Sequence, residues 1–180
     1  MTLRNLNIAP RASLGFGLVA LLVLILGSFS LLQMAEMHKQ SQQVNENWLP
    51  SILSLGEMNQ DILRLRALTL RLMLNTDEDM TRQNLARVEE LKGGLSKAQN
   101  AYEKLIASAE EKGLYDRFKQ AESSYLQEQS KIVEAVRQSD LDAALAVANG
   151  PLNGHADGMA KALVALSEMN RVGATAAADS

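Results

Sequence analysis

No cysteine occurs among the 180 residues, so disulfides, thiolate metal sites and cysteine nucleophiles are all excluded. Aromatic residues make up only 4% of the chain and prolines number three. A core with so few rings must be filled by aliphatic side chains, and Ala, Leu, Gln, Glu and Lys favour helix over sheet. An excess of positive charge is also lacking. The net charge of −3 argues against a nucleic-acid binder, which would present a basic face. The two histidines, His38 and His155, have no partners at ligand spacing, so no metal is expected. No Ser/His/Asp set, phosphate loop or pair of buried carboxylates stands out. The chain does not read as an enzyme, and no cofactor is implied.

Charge is missing altogether from one long stretch. Between Arg11 and Glu36 no side chain is charged, and "LGFGLVALLVLILGSFSLL" (Leu14 to Leu32) is almost wholly apolar. A run of that length can cross the roughly 30 Å hydrocarbon core as one helix. A cleavable signal peptide is the rival reading. The run exceeds the usual ~7–15 apolar residues of a signal sequence, however, and no clean A-x-A site follows it. Arg4 and Arg11 before the span place residues 1–11 in the cytoplasm, residues 12–34 in the membrane and residues 35–180 outside. In a bacterium this is an inner-membrane anchor with a periplasmic domain.

What is present beyond the span is helical patterning. A first helix is expected from Ala35 to about Asn75, kinked or reset at Pro50, which lacks a backbone donor. "NTDEDM" (Asn75 to Met80) stops it and starts a second, from about Asp77 to Ile106, whose first turn is acidic. Leu85, Val88, Leu91, Leu95, Ala98, Tyr102 and Leu105 recur there at three- and four-residue steps. A turn around Ser108 to Gly113 leads to a third helix through Val136. "QSD" (Gln138 to Asp140) caps a short helix to Ala148, and a last helix runs from about Pro151. Four long helices with short connections make an all-α, antiparallel up-down four-helix bundle. It stands off the membrane as a rod, with residues 75–79 and "NGPLNG" at its far end. The last helix heads back toward the bilayer, which reads as a truncated sensor module missing whatever followed.

The stretch "LRLRALTLRLML" (Leu63 to Leu74) sets Arg64, Arg66 and Arg71 among leucines. At 100° per residue Arg64 and Arg71 lie about 20° apart, with Glu57, Gln60, Asp61, Leu68 and Asn75 on the same stripe. Arg66 falls on the apolar side. One reading is a solvated face in which Asp61 pairs with Arg64. The other takes the narrow stripe, apolar on both flanks, as a seam between two copies of the rod that holds an anion. Arginine suits a carboxylate because its fork can bind it bidentately.

The N-terminal "TLRNLNIAPRA", the single span and "WLPSILSLGEMNQDILRLRALTLRLML" resemble the start of a methyl-accepting chemotaxis receptor with a periplasmic four-helix-bundle sensor. "GPLNGHADGMAKALVALSEMN" (Gly150 to Asn170) resembles the opening of that family's last helix. The N-terminal part is further similar to pseudomonad receptors for quinate, shikimate and aromatic acids. The resemblance implies a homodimer whose ligand sits near the membrane-distal tip, between helix one of both subunits and the start of helix four. It implies a signal carried inward by a small helix shift. It further implies a second span and a cytoplasmic part, both missing here, and a chemotaxis kinase and adaptor would be engaged only through that part.

On this resemblance Arg71 matches a ligand-carboxylate arginine of the aspartate receptor, with Arg64 two turns below and Leu68 and Asn75 beside them. Leu152, Asn153 and His155 complete the expected ligand-facing set at the start of helix four. Two positions depart from the pattern: Ala67 replaces a second arginine, and Leu152 a threonine. Both fit an α-amino dicarboxylate poorly and favour a carboxylate on a larger, partly apolar body. Two other functional classes stay open. One is a membrane-anchored bundle that acts by protein–protein contact; the other is the input domain of a sensor kinase.

Overall fold

The computed structural model of the protein describes residues 8–74 and 77–179. Within them the chain is helical throughout, with α1 (Ile8–Gln43), α2 (Leu49–Leu74), α3 (Glu78–Glu103), α4 (Ala109–Arg137), the short α5 (Leu141–Val147) and α6 (Asn153–Asp179). Asn75 lies outside the described residues. α1 is solvent-exposed all round its apolar stretch, and it is the one described helix long and apolar enough to cross a membrane. It runs on into α2 without a break.

Both internal prolines sit at π-helical turns. Val44–Trp48 precedes Pro50, and Ala148–Leu152 contains Pro151. A proline ring clashes with the carbonyl four residues back, and a wider turn relieves that clash while the helix continues. Pro50 therefore resets the helix without ending it. At the second turn Gly150 (φ −107°, ψ −109°) leaves helical geometry altogether, so α5 and α6 change direction there.

Helix starts follow capping chemistry. Asp77, Ser108 and Asp140 each accept a backbone N–H three residues on, from Met80, Glu111 and Ala143. Two expected boundaries move. α3 ends at Glu103 rather than Ile106, and α4 starts directly after Ser108, so Gly113 is helical and not part of the turn. Gly93 and Gly94 are inside α3, as the pattern required.

The core is built from heptad-spaced positions on four helices: Leu55, Met58, Ile62, Leu65 and Leu72 of α2; Val88, Leu95, Ala98 and Tyr102 of α3; Tyr115, Phe118, Tyr125 and Ile132 of α4; Leu152, Ala156, Met159, Leu163 and Leu166 of α6. This is the layered packing of a four-helix bundle. α2 packs mainly on α3 and α6, and α4 on α6 and α5. The α3–α4 side is bridged instead by long polar side chains, among them Gln99–Glu122 (2.7 Å), Tyr102–Glu111 (2.7 Å) and Tyr115–Glu103 (2.8 Å).

α2 carries a second seam on its outer side. Leu49, Leu53, Gly56, Gln60, Leu63, Ala67, Leu70 and Leu74 alternate steps of three and four, and every one is exposed. Leu53 is 60% and Leu74 82% exposed, in a helix whose inner face is tightly buried. Sustained spacing of this kind is the pattern of a left-handed two-helix seam.

Candidate functional site

Helical spacing puts Asp61, Arg64, Leu68 and Arg71 along one edge of α2, and Arg87, Glu90, Leu91 and Gly94 along the facing edge of α3. Together with Ala67 they line an open groove of about 520 Å³. The register of the two antiparallel helices is fixed by one close approach. A Cβ on Gly94 would come within 2.8 Å of Asp61 Oδ2, so glycine leaves the room that the carboxylate occupies. Seven residues along each helix from that point, Arg87 stands level with Leu68. Arg64 and Arg71 lie about one turn to either side. Three guanidinium groups therefore ring one leucine.

Their pairing is uneven. Asp61 Oδ1 lies 3.8 Å from Arg64 Nη1. Burial pushes the Asp61 carboxyl above its ordinary range, against the pull of Arg64, with Glu57 pushing the same way. Arg71 and Arg87 form no ion pair among the described residues. Two cations beside an apolar patch of Ala67, Leu68 and Leu91 are chemically suited to an anion with an apolar body. Arg64, 58% exposed in its side chain, lines the same groove but shares its charge with Asp61.

Of the residues expected to face a ligand, Arg64, Leu68 and Arg71 are brought together in this groove. Leu152, Asn153 and His155 are not. Leu152 is 3% exposed in the bundle core, while Asn153 is exposed and His155 half-buried at the start of α6. None of the three lines the groove. Arg66 points the other way, toward α6, where its Nη2 meets Asp157 Oδ1 at 3.9 Å. Asn75 lies outside the described residues.

Arg87 and Glu90 are the charged groove residues that sequence reasoning passed over. Their signal was available: Arg87, Glu90, Leu91 and Gly94 follow one helical stripe, and α3 is joined to α2 by a short turn. What was missing was the register. The Asp61–Gly94 approach sets Arg87 level with Leu68.

Trp48, at the end of the π-helical turn before Pro50, packs across to the last helix. Its indole lies against Gly173 of α6, where an added Cβ would fall 2.4 Å from Cη2. The same end of the bundle holds a buried polar cluster. Glu111, 2% exposed, accepts from Tyr102 Oη (2.7 Å), Asn170 Nδ2 (3.0 Å) and the Ala107 amide (2.9 Å).

Comparison with known proteins agrees with this architecture. Residues 5–180 match the family described as a four-helix-bundle sensory module for signal transduction. The chain is also 22% identical over 140 residues, 78% of its length, to the protein named "Putative sensory transducer protein YvaQ" of Bacillus subtilis strain 168. It spans 25% of the length of that relative.

Proposed function

Since the chain belongs to the four-helix-bundle sensory modules of signal transduction, we propose that it is the transmembrane and periplasmic sensor part of a chemotaxis receptor of the methyl-accepting kind. In this reading α1 anchors the module in the bacterial inner membrane, with residues 1–11 in the cytoplasm and the bundle outside. The module is a homodimer joined along the outer seam of α2. A face that keeps a heptad repeat from Leu49 to Leu74 while exposing five leucines fits a second copy of the same helix.

The ligand is a small organic acid, bound in the membrane-distal half beside that seam. Quinate, shikimate and aromatic acids are the favoured candidates. The single observation that carries this is Arg71, which stands without an ion partner among the described residues at the edge where groove and seam meet. Ala67 belongs to both the groove and the outer seam, so a partner helix packed on the seam would wall the groove's open side. Binding there shifts the bundle between two arrangements only to the extent that the ligand favours one of them. The output is a small displacement of α6 toward the membrane. A kinase and adaptor respond through a cytoplasmic part of the whole receptor.

The test is thermal unfolding of the chain in lipid nanodiscs against amino acids, Krebs-cycle acids, quinate, shikimate and benzoates. A bound acid at 100 times Kd adds about 2.7 kcal/mol, and Arg71→Ala abolishes the shift. A panel without any shift removes the carboxylate-sensor reading and leaves a bundle that works by protein contact.

A further inference from the structure

Resting on the carboxylate-sensor reading, we propose that the acid is clamped within one subunit, its carboxylate held between Arg71 of α2 and Arg87 of α3. Three observations carry it. Arg71 and Arg87 approach the same 520 Å³ groove from different helices, separated along its length by about one turn. Neither has an ion pair among the described residues, whereas Arg64 is already engaged by Asp61 at 3.8 Å. Like charges converging on an apolar floor repel one another, and a carboxylate with two oxygens can accept from both forks at once.

The rest of the groove then specifies the ligand's other end. Leu68 and Leu91 offer apolar contact to a ring or short aliphatic body. Asp61 and Glu90 stand on the side away from Arg71, and ionised carboxylates only accept hydrogen bonds. The class that matches both ends is a carboxylic acid whose body carries a hydroxyl or ammonium donor. A bare dicarboxylate would meet Asp61 and Glu90 with its second charge, where the groove-lining Arg64 is shared with Asp61. Such a clamp ties α2 to α3, so ligand binding closes that pair of helices without needing a residue from α6 or from a second copy.

Calorimetric titration of the full chain in nanodiscs with shikimate, benzoate, alanine and succinate tests this. The expected result is tightest binding for shikimate or alanine, weaker for benzoate and weakest for succinate. Arg87→Ala should weaken binding by about 30-fold, the worth of one charge-assisted hydrogen-bonded contact, with an unchanged melting temperature because the side chain is exposed. Arg87→Lys should recover part of the loss. The double variant Leu63→Glu, Leu70→Glu, which breaks the outer seam, should bind within about threefold of the parent.

Binding that depends on Arg71 but not on Arg87 overturns the clamp while leaving the sensor reading standing. Binding lost on breaking the seam overturns it in favour of a site shared between subunits. Succinate binding tightest overturns the assignment of Asp61 and Glu90. A parent that binds none of the four overturns the clamp, and the carboxylate reading falls with it only if quinate and the Krebs-cycle acids also give no thermal shift.

Discussion

Two places in this bundle bring charge against apolar side chains, and they treat it in opposite ways. At the end of the bundle nearest α1 the Glu111 carboxylate is sealed from water and saturated by Tyr102, Asn170 and the Ala107 amide. In the α2–α3 groove Arg71 and Arg87 are open to water and carry no ion partner among the described residues. A buried charge left unpaired would cost several kcal/mol, so the first arrangement exists because the fold requires it. Exposed arginines cost the fold almost nothing, so packing does not explain why two helices aim theirs at one groove. The first region holds the bundle together; the second is available for something else.

That contrast can be broken in two experiments. Glu111→Ala should lower unfolding free energy by about 3 kcal/mol, since it takes the acceptor from the Tyr102 hydroxyl and from the Ala107 amide. Chemical denaturation measures it. A loss below about 1 kcal/mol would mean the cluster is no keystone. Arg71→Ala and Arg87→Ala should each change stability by no more than about 0.5 kcal/mol, as surface substitutions do. If they destabilise like Glu111→Ala, the groove is structural and the comparison fails.

A second, pH-dependent test concerns the tyrosines of the core. Burial raises the pKa of all three: Tyr102, with Glu111 as hydrogen-bond acceptor adding to it; Tyr115, with Glu103 adding; and Tyr125, against opposing effects of Thr69 and Arg66. The neutral phenol is therefore the folded form, whereas unfolded tyrosine ionises near pH 10. The stabilisation is complete below that value and falls as pH rises above it. Helical circular dichroism and tyrosinate absorbance should change together above about pH 10. Absorbance that rises while helicity persists would show the rings to be reachable by solvent.

How much of this was legible in the sequence differs by element. The apolar span and the starts at Asp77 and Asp140 were readable because hydropathy and capping are local, whereas the start after Ser108 was hidden by Gly113, which reads as a turn residue and is helical. The pairing of Arg64 with Asp61, which lie three apart on one helix, was legible for the same local reason. The continuation of the helix through Pro50 was readable too, but the π-helical form of the turn before it was not, because such a turn is a response to the clash and leaves no residue signature of its own. Arg87 escaped for a different reason: helix-to-helix register depends on a contact between Asp61 and Gly94 that lie 33 residues apart. The residues at the start of α6 were placed by resemblance alone, and Leu152 proved to be core filling.

The smallest effects discriminate most finely, because three glycines in helices differ only in what faces them. At Gly173 an added methyl meets three atoms of the rigid Trp48 ring at 2.4, 2.6 and 2.7 Å. Ala there gains up to about 1 kcal/mol of helix propensity and loses roughly 1–3 to overpacking, so a net loss near 1 kcal/mol is expected, with altered Trp48 fluorescence. At Gly94 the obstacle at 2.8 Å is one oxygen of the Asp61 side chain, which can rotate away. The propensity gain and the loss of the Asp61 position should nearly cancel. At Gly93 nothing lies within 4 Å, so Gly93→Ala should stabilise by about 0.5–1 kcal/mol. The neighbouring pair carries the comparison to its finest point. Both substitutions act equally on the unfolded chain, so the difference between their melting temperatures reports the Asp61 contact alone. If Gly94→Ala stabilises as much as Gly93→Ala, Asp61 is not held against α3, and the register that sets Arg87 opposite Leu68 loses its anchor.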